Sequence, residues 1–570
     1  MRTALLGLSL AIAFFLPAKA QQTTTPAPDA APQQTPPISQ LPASTPANTI
    51  TRMVSLVTLD GVVLDQKGNP VTDLKREDFH VTEDNVPQEI RNFDVPGSFT
   101  PSPDITIDST ADLDRLAPRA PVNIVLLDEF NTRFEDMAFA RYSLKKWLEK
   151  QPDKLSTPTM LVAVDLQHFT VLRDYTQSKD EILNALDHHF AAYPWQTHEF
   201  SWVAERYATA FLTLRRVAEA AVGHQGHKNM IWLGRGFPTL DFSRVSVDDS
   251  AHVHSAVQLT VNELRDARVT LYTIDPAGVM IDPGAYGEAA QLFAPFGGDP
   301  DFQSLARATG GRTLYGRNDV DAEIGTSIRD GSSLYTLTYR PTNSGYDPDK
   351  FRRIKVTLTR PGLTFVTRQG YYPDVRPARP NANGRMGNRL NAELYNATSS
   401  NMSYDAVGFT VKASPTDAND LSVRVESRGL AWYFTDGTKP RFTRIIFVST
   451  TFDRKGKQLK ADARSYTFQA PASASPTGHL DLPVAFTAKL IPDPKAVRAR
   501  IVVRVEASGR MGTADLTLAP GATASSASVD AKSPPPPASS PSPQANPDAS
   551  PQQDPATQQP ATTPPAAEKQ

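Results

Sequence analysis

Between residues 121 and 342, short apolar runs alternate with helical patterns, and this alternation constrains the fold more than any other feature. The runs are VNIVLLD at 122–128, TMLVAVD at 159–165, NMIWL at 229–233 and VTLYTI at 269–274. Between the first two runs, apolar residues recur at helical spacing, namely Phe134, Met137, Ala140, Leu144 and Leu148. Such alternation is typical of a parallel sheet with helices on both faces. We therefore predict an α/β domain over 121–342 with a doubly wound, mostly parallel sheet, in which FTVLRDY forms an antiparallel edge strand.

The segments that flank this domain are rich in strand patterns. Residues 50–98 carry β-branched runs separated by turns with glycine and proline, which predicts a small N-terminal β unit. Residues 99–119 are interrupted by proline and predict a linker, and strands in 343–375 are predicted to pack with the β unit. Residues 388–518 predict a C-terminal β-sandwich. The predicted fold class is α/β plus all-β.

Within this last segment, VRARIVVRV predicts a strand with one buried and one solvated face. Ala499, Ile501, Val503 and Val505 alternate with Arg498, Arg500 and Arg504. Strict alternation indicates that the arginine face is wet.

The chain termini predict export. Residues 1–20 combine Arg2, the apolar run ALLGLSLAIAFFLP and the small-residue site AKA, which is the pattern of a cleaved signal peptide. Residues 21–48 and 519–570 are rich in proline and poor in aromatic residues, which predicts disordered segments. We expect an exported protein, periplasmic or extracellular, without membrane insertion after signal cleavage.

Charge and cysteine content exclude several classes of function. The formal net charge is -2, which gives no indication of nucleic-acid binding. The chain has no cysteine. Disulfides, cysteine nucleophiles and thiolate metal sites are therefore excluded.

A carboxylate follows the first strand of the α/β domain, at the place where such sheets bind ligands. Asp128 ends VNIVLLD, and Glu129, Phe130, Asn131 and Thr132 come before the next helical pattern. Ligands of open α/β sheets lie at the carboxyl ends of the strands. A metal site and a loop held by side-chain hydrogen bonds both account for this arrangement.

Six segments form an ordered set along the chain: GVVLDQKGNPVTDLKREDFHVTEDNVPQEI, VNIVLLDEFNT, GHKNMIWLGRGFP, VTLYTIDPAG, LARATGGRTLY and YTLTYRPTNSGYDPDKFRRIKVTLTRPGLTFVTRQGYY. Taken together and in this order, they resemble the von Willebrand factor type A-related domain family of exported acidobacterial proteins. The resemblance covers roughly 50–375. It implies a von Willebrand factor A-like fold, whose parent family often carries a metal-ion-dependent adhesion site.

This site is matched only in part. The family pattern is Asp-x-Ser-x-Ser after the first strand, a Thr from a second loop and an Asp after the fourth strand. Asp128 matches the first position and Thr132 the second Ser, whereas Phe130 replaces the first Ser and cannot ligate. Thr197 is the candidate for the second-loop Thr. After NMIWL the expected Asp is replaced by GRG, whose Arg235 would repel a divalent cation.

Two interpretations of the loop follow from this partial match. In one, Asp128 and Thr132 form a degenerate metal site, for which Mg²⁺ is the ion that the resemblance implies; otherwise no cofactor is expected. In the other, Asp128, Asn131 and Thr132 cap the loop and the following helix. An ion pair between Arg235 and Asp128 would then stand in for the metal. We predict that Asp128 does not bind a divalent ion tightly.

Other candidate residues match the motifs of functional sites less well. HEFSW begins like a zinc-protease motif at His198, but it has Trp202 where the second histidine must stand. His224 and His227 flank a glycine, and a second histidine group lies near two aspartates: His252 and His254 near Asp248 and Asp249. No Gly-x-Ser-x-Gly elbow and no phosphate-binding glycine-rich loop occur in the sequence.

These observations predict an exported, non-enzymatic binding or scaffold protein whose partner is a protein or a cell-envelope component. Three alternatives stay open: a metal-dependent adhesin with a working Mg²⁺ site, an exported hydrolase that uses carboxylates and histidines in 196–200 or 248–254, and a structural module tethered by its proline-rich tails.

Overall fold

The computed structural model describes residues 56–166, 168–191, 201–237, 247–277, 302–314, 318–342, 351–373, 385–414, 417, 419–433, 441–471 and 480–518. The predicted signal peptide and the two proline-rich segments lie outside the described residues. Among the helices in these ranges, none is both long and apolar enough to cross a membrane.

A six-stranded mixed sheet forms the centre of the α/β domain. Its strands are β5 (Val122–Asp128), β6 (Lys154–Val164), β7 (Phe169–Ser178), β8 (Lys228–Leu233), β9 (Val269–Ile274) and β10 (Thr313–Leu314). The strand order is β10-β9-β8-β5-β6-β7. All neighbours are parallel except β6 and β7, which pair antiparallel. The predicted antiparallel edge strand is thus confirmed.

Helices cover both faces of this sheet. Side chains of β5 alternate between two cores, with Val125 and Leu127 in one and Ile124 and Leu126 in the other. The first core contains residues of α2 (Phe134–Glu149), α3 (Lys179–His188) and α7 (Val320–Ser332). The second contains residues of α1 (Thr110–Leu116), α4 (Ser201–Ala221), α5 (Val247–Asp266) and α6 (Phe302–Ala308). Because both faces are covered, β5 is apolar from Ile124 to Leu127, between Asn123 and Asp128.

The N-terminal β unit consists of two four-stranded sheets built from two parts of the chain. The first part supplies β1 (Val57–Leu64), β2 (Phe79–Glu83), β3 (Val86–Gln88) and β4 (Ile90–Asp94). The second supplies β11 (Leu334–Tyr339), β12 (Arg352–Leu358), β13 (Thr364–Thr367) and β14 (Gly370–Tyr371). The orders are β13-β1-β11-β4 and β14-β12-β2-β3. Leu59, Phe79, Val81 and Leu337 contribute to one shared core.

The C-terminal module contains a helix and two antiparallel sheets. After α8 (Arg385–Ser399) come β15 (Phe409–Ala413), β16 (Asp420–Val425), β17 (Phe442–Phe452), β18 (Gln458–Gln469), β19 (Val484–Lys489), β20 (Arg498–Val505) and β21 (Met511–Thr517). The sheet orders are β15-β16-β19 and β18-β17-β20-β21, with one core between them. The prediction of a sandwich from residue 388 is wrong at its start, because 388–399 belong to α8.

The predicted wet face of β20 is also wrong. Arg500 is fully buried, and Val502 on the same face is buried as well. The guanidinium of Arg500 donates to the carbonyl oxygens of Ala397 and Met402 and pairs with Asp515 at 2.6 Å. α8 and the segment after it cover this face, so the arginine replaces water with backbone acceptors.

Candidate functional site

The carboxyl end of β5 places Asp128 between two neighbouring strands. Asp128 pairs in register with Val164 of β6, and Leu127 pairs with Leu233 at the end of β8. The side chain of Asp128 is completely buried. A carboxylate in such a position needs hydrogen-bond partners, because an unpaired buried charge is costly.

Three N–H groups of the chain supply these partners. The backbone N–H of Asn131 donates to Oδ1 at 2.9 Å. Oδ2 accepts two further bonds, one from the indole Nε1 of Trp232 at 3.0 Å and one from the backbone N–H of Gly236 at 2.8 Å. The bond from Asn131 is the loop cap that the second interpretation of the sequence predicts. The predicted side-chain cap of the following helix is wrong, because the N-cap residue of α2 is Arg133, which makes no such bond.

The GRG segment, residues 234–236, closes over this loop. The backbone N–H of Arg235 donates to Oγ1 of Thr132 at 3.3 Å. At Gly234, with φ of 142°, a Cβ atom would lie 2.4 Å from Thr132 Oγ1 and 2.5 Å from Asp128 Cβ. Asn131 Nδ2 donates to the carbonyl oxygen of Gly236. Asp128 and Thr132 are therefore brought together, and glycine backbone fills the space beside them.

The side chain of Arg235 forms an ion pair at the carboxyl end of another strand, β9. Its Nε lies 3.6 Å from Oδ1 of Asp275, the residue that follows β9. The partners of Asp128 are N–H groups, so the ion pair considered for Arg235 is formed with Asp275. Sequence reasoning did not single out Asp275, although it follows an apolar strand in the same way as Asp128.

Burial and hydrogen bonding shift the pKa of the Asp128 carboxyl group in opposite directions. Burial raises the pKa of its carboxyl group to about 7, while the donors Trp232, Asn131 and Gly236 limit that increase. Mg²⁺ requires an ionised carboxylate and near-octahedral oxygen ligands. Here both Asp128 oxygens already accept hydrogen bonds, and Phe130 packs edge-on against Trp232 at 6.1 Å between ring centroids.

The residues present around Asp128 therefore do not fit a Mg²⁺ site, unless the hydrogen bonds from the chain are given up. Thr132 Oγ1, the second candidate ligand, also accepts a backbone hydrogen bond. Thr197 lies outside the described residues. In the part of the chain that the structure describes, no group of three or more acidic, histidine or cysteine side chains is arranged to hold a metal ion.

A second buried pair lies beside this loop and was missed from the sequence. Glu129 is buried, and its Oε1 lies 2.8 Å from Nε2 of His189 and 3.7 Å from Nη1 of Arg141. Arg141 also donates to the carbonyl oxygens of Leu186 and His189. These contacts attach the end of α3 to the end of β5. No sequence pattern links residues 60 positions apart, so only the fold brings them together.

The histidines with described side chains lie away from Asp128. His224 and His227 are buried just before β8, at the amino ends of the strands. Nε2 of His224 is 2.7 Å from the carbonyl oxygen of Ala120, and Nε2 of His227 is 2.9 Å from Oγ1 of Thr270. A six-residue strand spans about 20 Å, which separates both rings from the Asp128 loop.

Burial lowers the pKa of both histidines, that of His227 to about 3, so the His227 ring is neutral at physiological pH. His198 lies outside the described residues. His252 and His254 are on α5, and their side chains, with those of Asp248 and Asp249, are likewise not described.

Comparison with known proteins adds little to this description. No protein-family model and no curated protein matches the chain. Among solved structures, proximal thread matrix protein 1 from the mussel byssus shares 11% identity with a TM-score of 0.22. The match covers 41% of this chain and 49% of that one, so the chain spans about half the length of this neighbour. A Bacteroides uniformis beta-glucuronidase shares 12% identity over 32% of this chain and 19% of that one, with a TM-score of 0.12. Similarities this weak define neither fold nor function.

Proposed function

We propose that this chain is an exported, non-enzymatic binding or scaffold protein. Its α/β domain, doubly wound and von Willebrand factor A-like in this proposal, presents the carboxyl ends of its strands to a protein or a cell-envelope component. The observation that carries the proposal is the state of Asp128. The carboxylate that would hold a metal in the resembled family is here bonded to Asn131, Trp232 and Gly236.

This bonding supports recognition by a fixed surface. Two loops, 128–132 and 234–236, are tied to each other through Asp128, Thr132 and Asn131. A surface that is ordered before binding loses less conformational entropy when a partner docks. The degenerate metal site, Asp128 with Thr132, is in this proposal a structural support for the surface.

The position of the other modules also supports the proposal. Arg268, directly before β9, binds Asp60 of the N-terminal β unit. Gly223, in the loop before β8, packs against Asp405, so that an added Cβ would lie 2.1 Å from its Oδ1. Both contacts lie at the amino ends of the strands. The carboxyl ends of the strands lie at the other end of the sheet, and this is where open α/β sheets bind ligands.

Two exposed aromatic side chains border the carboxyl ends. Phe134 begins α2 and is 61% exposed, and Phe190 follows His189 and is 82% exposed. Exposed aromatic residues are enriched at protein interfaces, where they supply much of the binding energy. The partner surface is therefore expected to include apolar groups.

A capture experiment with purified full-length chain tests the proposal. A 121–342 fragment is unsuitable, because β11 would lose its partners β1 and β4. The bait variants are Phe134→Ala with Phe190→Ala, and the matched control is Ile491→Ala, an apolar residue of the C-terminal module that is 41% exposed. Captured envelope proteins are identified by mass spectrometry, and binding is repeated with the purified partner.

The proposal expects a partner that binds the wild type and the control but binds the double variant at least tenfold more weakly. Binding that needs Mg²⁺ and is lost in Thr132→Ala would instead establish a metal-dependent adhesin. Cleavage of the captured component would establish a hydrolase. Equal binding by all three baits, or no partner under several conditions, contradicts the proposal.

A further inference from the structure

Three glutamates meet where the C-terminal module contacts the α/β domain. Glu219 lies on α4, Glu263 on α5 and Glu393 on α8. α8 lies between α4 and β20, and Asn396 of α8 receives a hydrogen bond from Arg216 of α4 at 3.1 Å. The glutamates are therefore part of the contact that seats the C-terminal module.

Two of the glutamates have arginine partners. Arg504 of β20 donates to Oε2 of Glu393 from Nη2 at 2.7 Å and from Nε at 3.1 Å. Arg215 donates to Glu263 from Nε at 2.8 Å and from Nη2 at 3.4 Å. Their side chains are mostly buried, so each pair compensates its own desolvation.

Glu219 has no arginine within hydrogen-bonding distance and only a longer ion pair with Arg215. Its side chain is 10% exposed, and Arg215 Nη2 is 3.7 Å from Oε1, beyond hydrogen-bonding distance. Asn396 Nδ2 lies 3.5 Å from Oε2, at the limit of a hydrogen bond. Within the described structure, Oε1 is buried without a hydrogen-bond partner.

The charged and titratable groups around Glu219 come from every element packed on it. They are Arg215 and Arg216 of α4, Glu263 of α5, Glu393 of α8, Tyr404 after α8 and Arg504 of β20. Arg215 and Arg504 are engaged by the other two glutamates. Arg216 donates to Asn396 and to Ser399 Oγ at 3.3 Å. An ionised Glu219 would therefore lie near two other carboxylates, compensated only by the 3.7 Å ion pair with Arg215, which Glu263 already engages.

A proton on Glu219 removes this repulsion and provides a donor. Burial and the neighbouring carboxylate of Glu263 raise the pKa of Glu219 to about 8, against the opposing charge of Arg215. In water the group has an ordinary pKa of 4.5.

We infer that seating of the C-terminal module on the α/β domain is linked to proton uptake by Glu219. The docked contact holds the protonated carboxyl group, and separation of α8 from α4 exposes it to water and releases the proton. The inference does not depend on the binding function proposed above.

The sign of the pH effect follows from linkage. The pKa of Glu219 is higher when α8 is docked than when the side chain is exposed to water. The contribution of Glu219 to docking is therefore largest below pH 4.5. Docking weakens by about tenfold per pH unit as the pH rises from 4.5 towards 8, and it is constant above that. The contact therefore loosens in alkaline and tightens in acidic surroundings.

Amide hydrogen exchange of the full chain tests the inference. Protection of α8, corrected for the intrinsic exchange rate, reports how often the helix separates. Between pH 6 and pH 8, linkage predicts a fall in this protection of at least about tenfold. In Glu219→Gln, which keeps the shape and cannot titrate, α8 should be protected equally at both pH values and better than the wild type at pH 8.

Glu263→Gln serves as the matched variant. It removes one neighbouring carboxylate and frees Arg215 to pair with Glu219, so the pH-dependent range should move to lower pH. β5 is the internal reference, because it lies in the centre of the sheet and should keep its protection throughout. The inference is overturned if α8 protection in the wild type is equal at pH 6 and pH 8. It is also overturned if Glu219→Gln keeps the wild-type dependence, or if β5 loses protection in parallel.

Discussion

The guanidinium of Arg268 holds both carboxylate oxygens of Asp60, with 3.0 Å from Nε to Oδ2 and 2.5 Å from Nη2 to Oδ1. Oγ1 of Thr336 donates to the same carboxylate at 2.6 Å, and Nη1 of Arg268 donates to the carbonyl oxygen of Gln225 at 2.7 Å. Arg268 adopts a left-handed backbone conformation with φ of 54°. One bidentate pair thus joins β1 and β11 of the β unit to the amino ends of β8 and β9.

Asp60→Asn should therefore destabilise the protein. Asp60 is almost completely buried, and its removal leaves the Arg268 charge without a carboxylate, at a cost of about 3 kcal/mol. Urea unfolding measures the change. Asp73→Asn is the matched control, because its pair with Arg360 is exposed to solvent and should contribute much less to stability. Equal losses in the two variants would show that the buried pair has no special role.

The pair of Asp60 with Arg268 also predicts how the free energy of unfolding changes at low pH. Burial alone would raise the pKa of Asp60, but the charge and hydrogen bonds of Arg268 hold it well below the ordinary value of 3.8. The stabilisation is therefore fully present above pH 3.8 and is lost as the pH falls further. The stability difference between wild type and Asp60→Asn should shrink as the pH is lowered from 5 towards 2. A constant difference over that range would contradict this account.

Patterns confined to one element predicted the fold well. From Ile124 to Leu127, β5 is apolar on both faces because helices cover both, and the spacing of Met137, Ala140, Leu144 and Leu148 correctly placed α2. Contacts between distant segments were not predictable. Arg500 looked solvent-facing in the alternation of β20, yet α8, about 100 residues earlier, supplies the carbonyl oxygen that it binds. A local pattern shows which residues share a face, but it does not show what covers that face.

In the candidate site, too, features within one segment could be predicted from the sequence, whereas contacts between distant segments could not. Asp128 and Thr132 were found because a polar group directly after a buried strand is visible in the sequence. The hydrogen bonds from Trp232 and Gly236 were not, because they depend on the register between β5 and β8. The pair of Glu129 with His189 depends on where α3 ends against the sheet.

Arg500→Met is expected to be strongly destabilising. The substitution keeps the apolar stem but leaves Asp515 and the carbonyl oxygens of Ala397 and Met402 without their donor, at a cost of about 3 kcal/mol. Arg498→Met is the control, since Arg498 pairs with the same Asp515 at 3.1 Å but is 27% exposed. Thermal unfolding of the two variants should show the larger loss for Arg500. A larger loss for Arg498 would place the stabilising contact at the start of β20 instead.

Mg²⁺ should have little effect on the wild type. A divalent ion must displace the N–H donors of Asp128, and an ion that binds the native state weakly cannot stabilise it by mass action. Asp128→Ala should cost about 1–3 kcal/mol, because the donors lose their acceptor. Calorimetric titration and melting curves with and without Mg²⁺ measure both effects. A one-to-one isotherm with micromolar affinity that disappears in Asp128→Ala would restore the metal-dependent adhesion site.

Gly234→Ala tests whether the closed loop is needed for the proposed surface. A Cβ atom there would overlap Thr132 Oγ1 and Asp128 Cβ, so the two loops must separate, at a cost of about 2–4 kcal/mol. Gly456→Ala is the control: it also has positive φ, 77°, but an added Cβ meets nothing within 4 Å. Its cost should be only about 1 kcal/mol of backbone strain. Both variants are compared by urea unfolding and by binding of the captured partner at a temperature where both are folded. Weaker binding in Gly234→Ala alone is the expected result, because only that substitution moves the Asp128 loop; unchanged binding would separate the loop from the recognition surface.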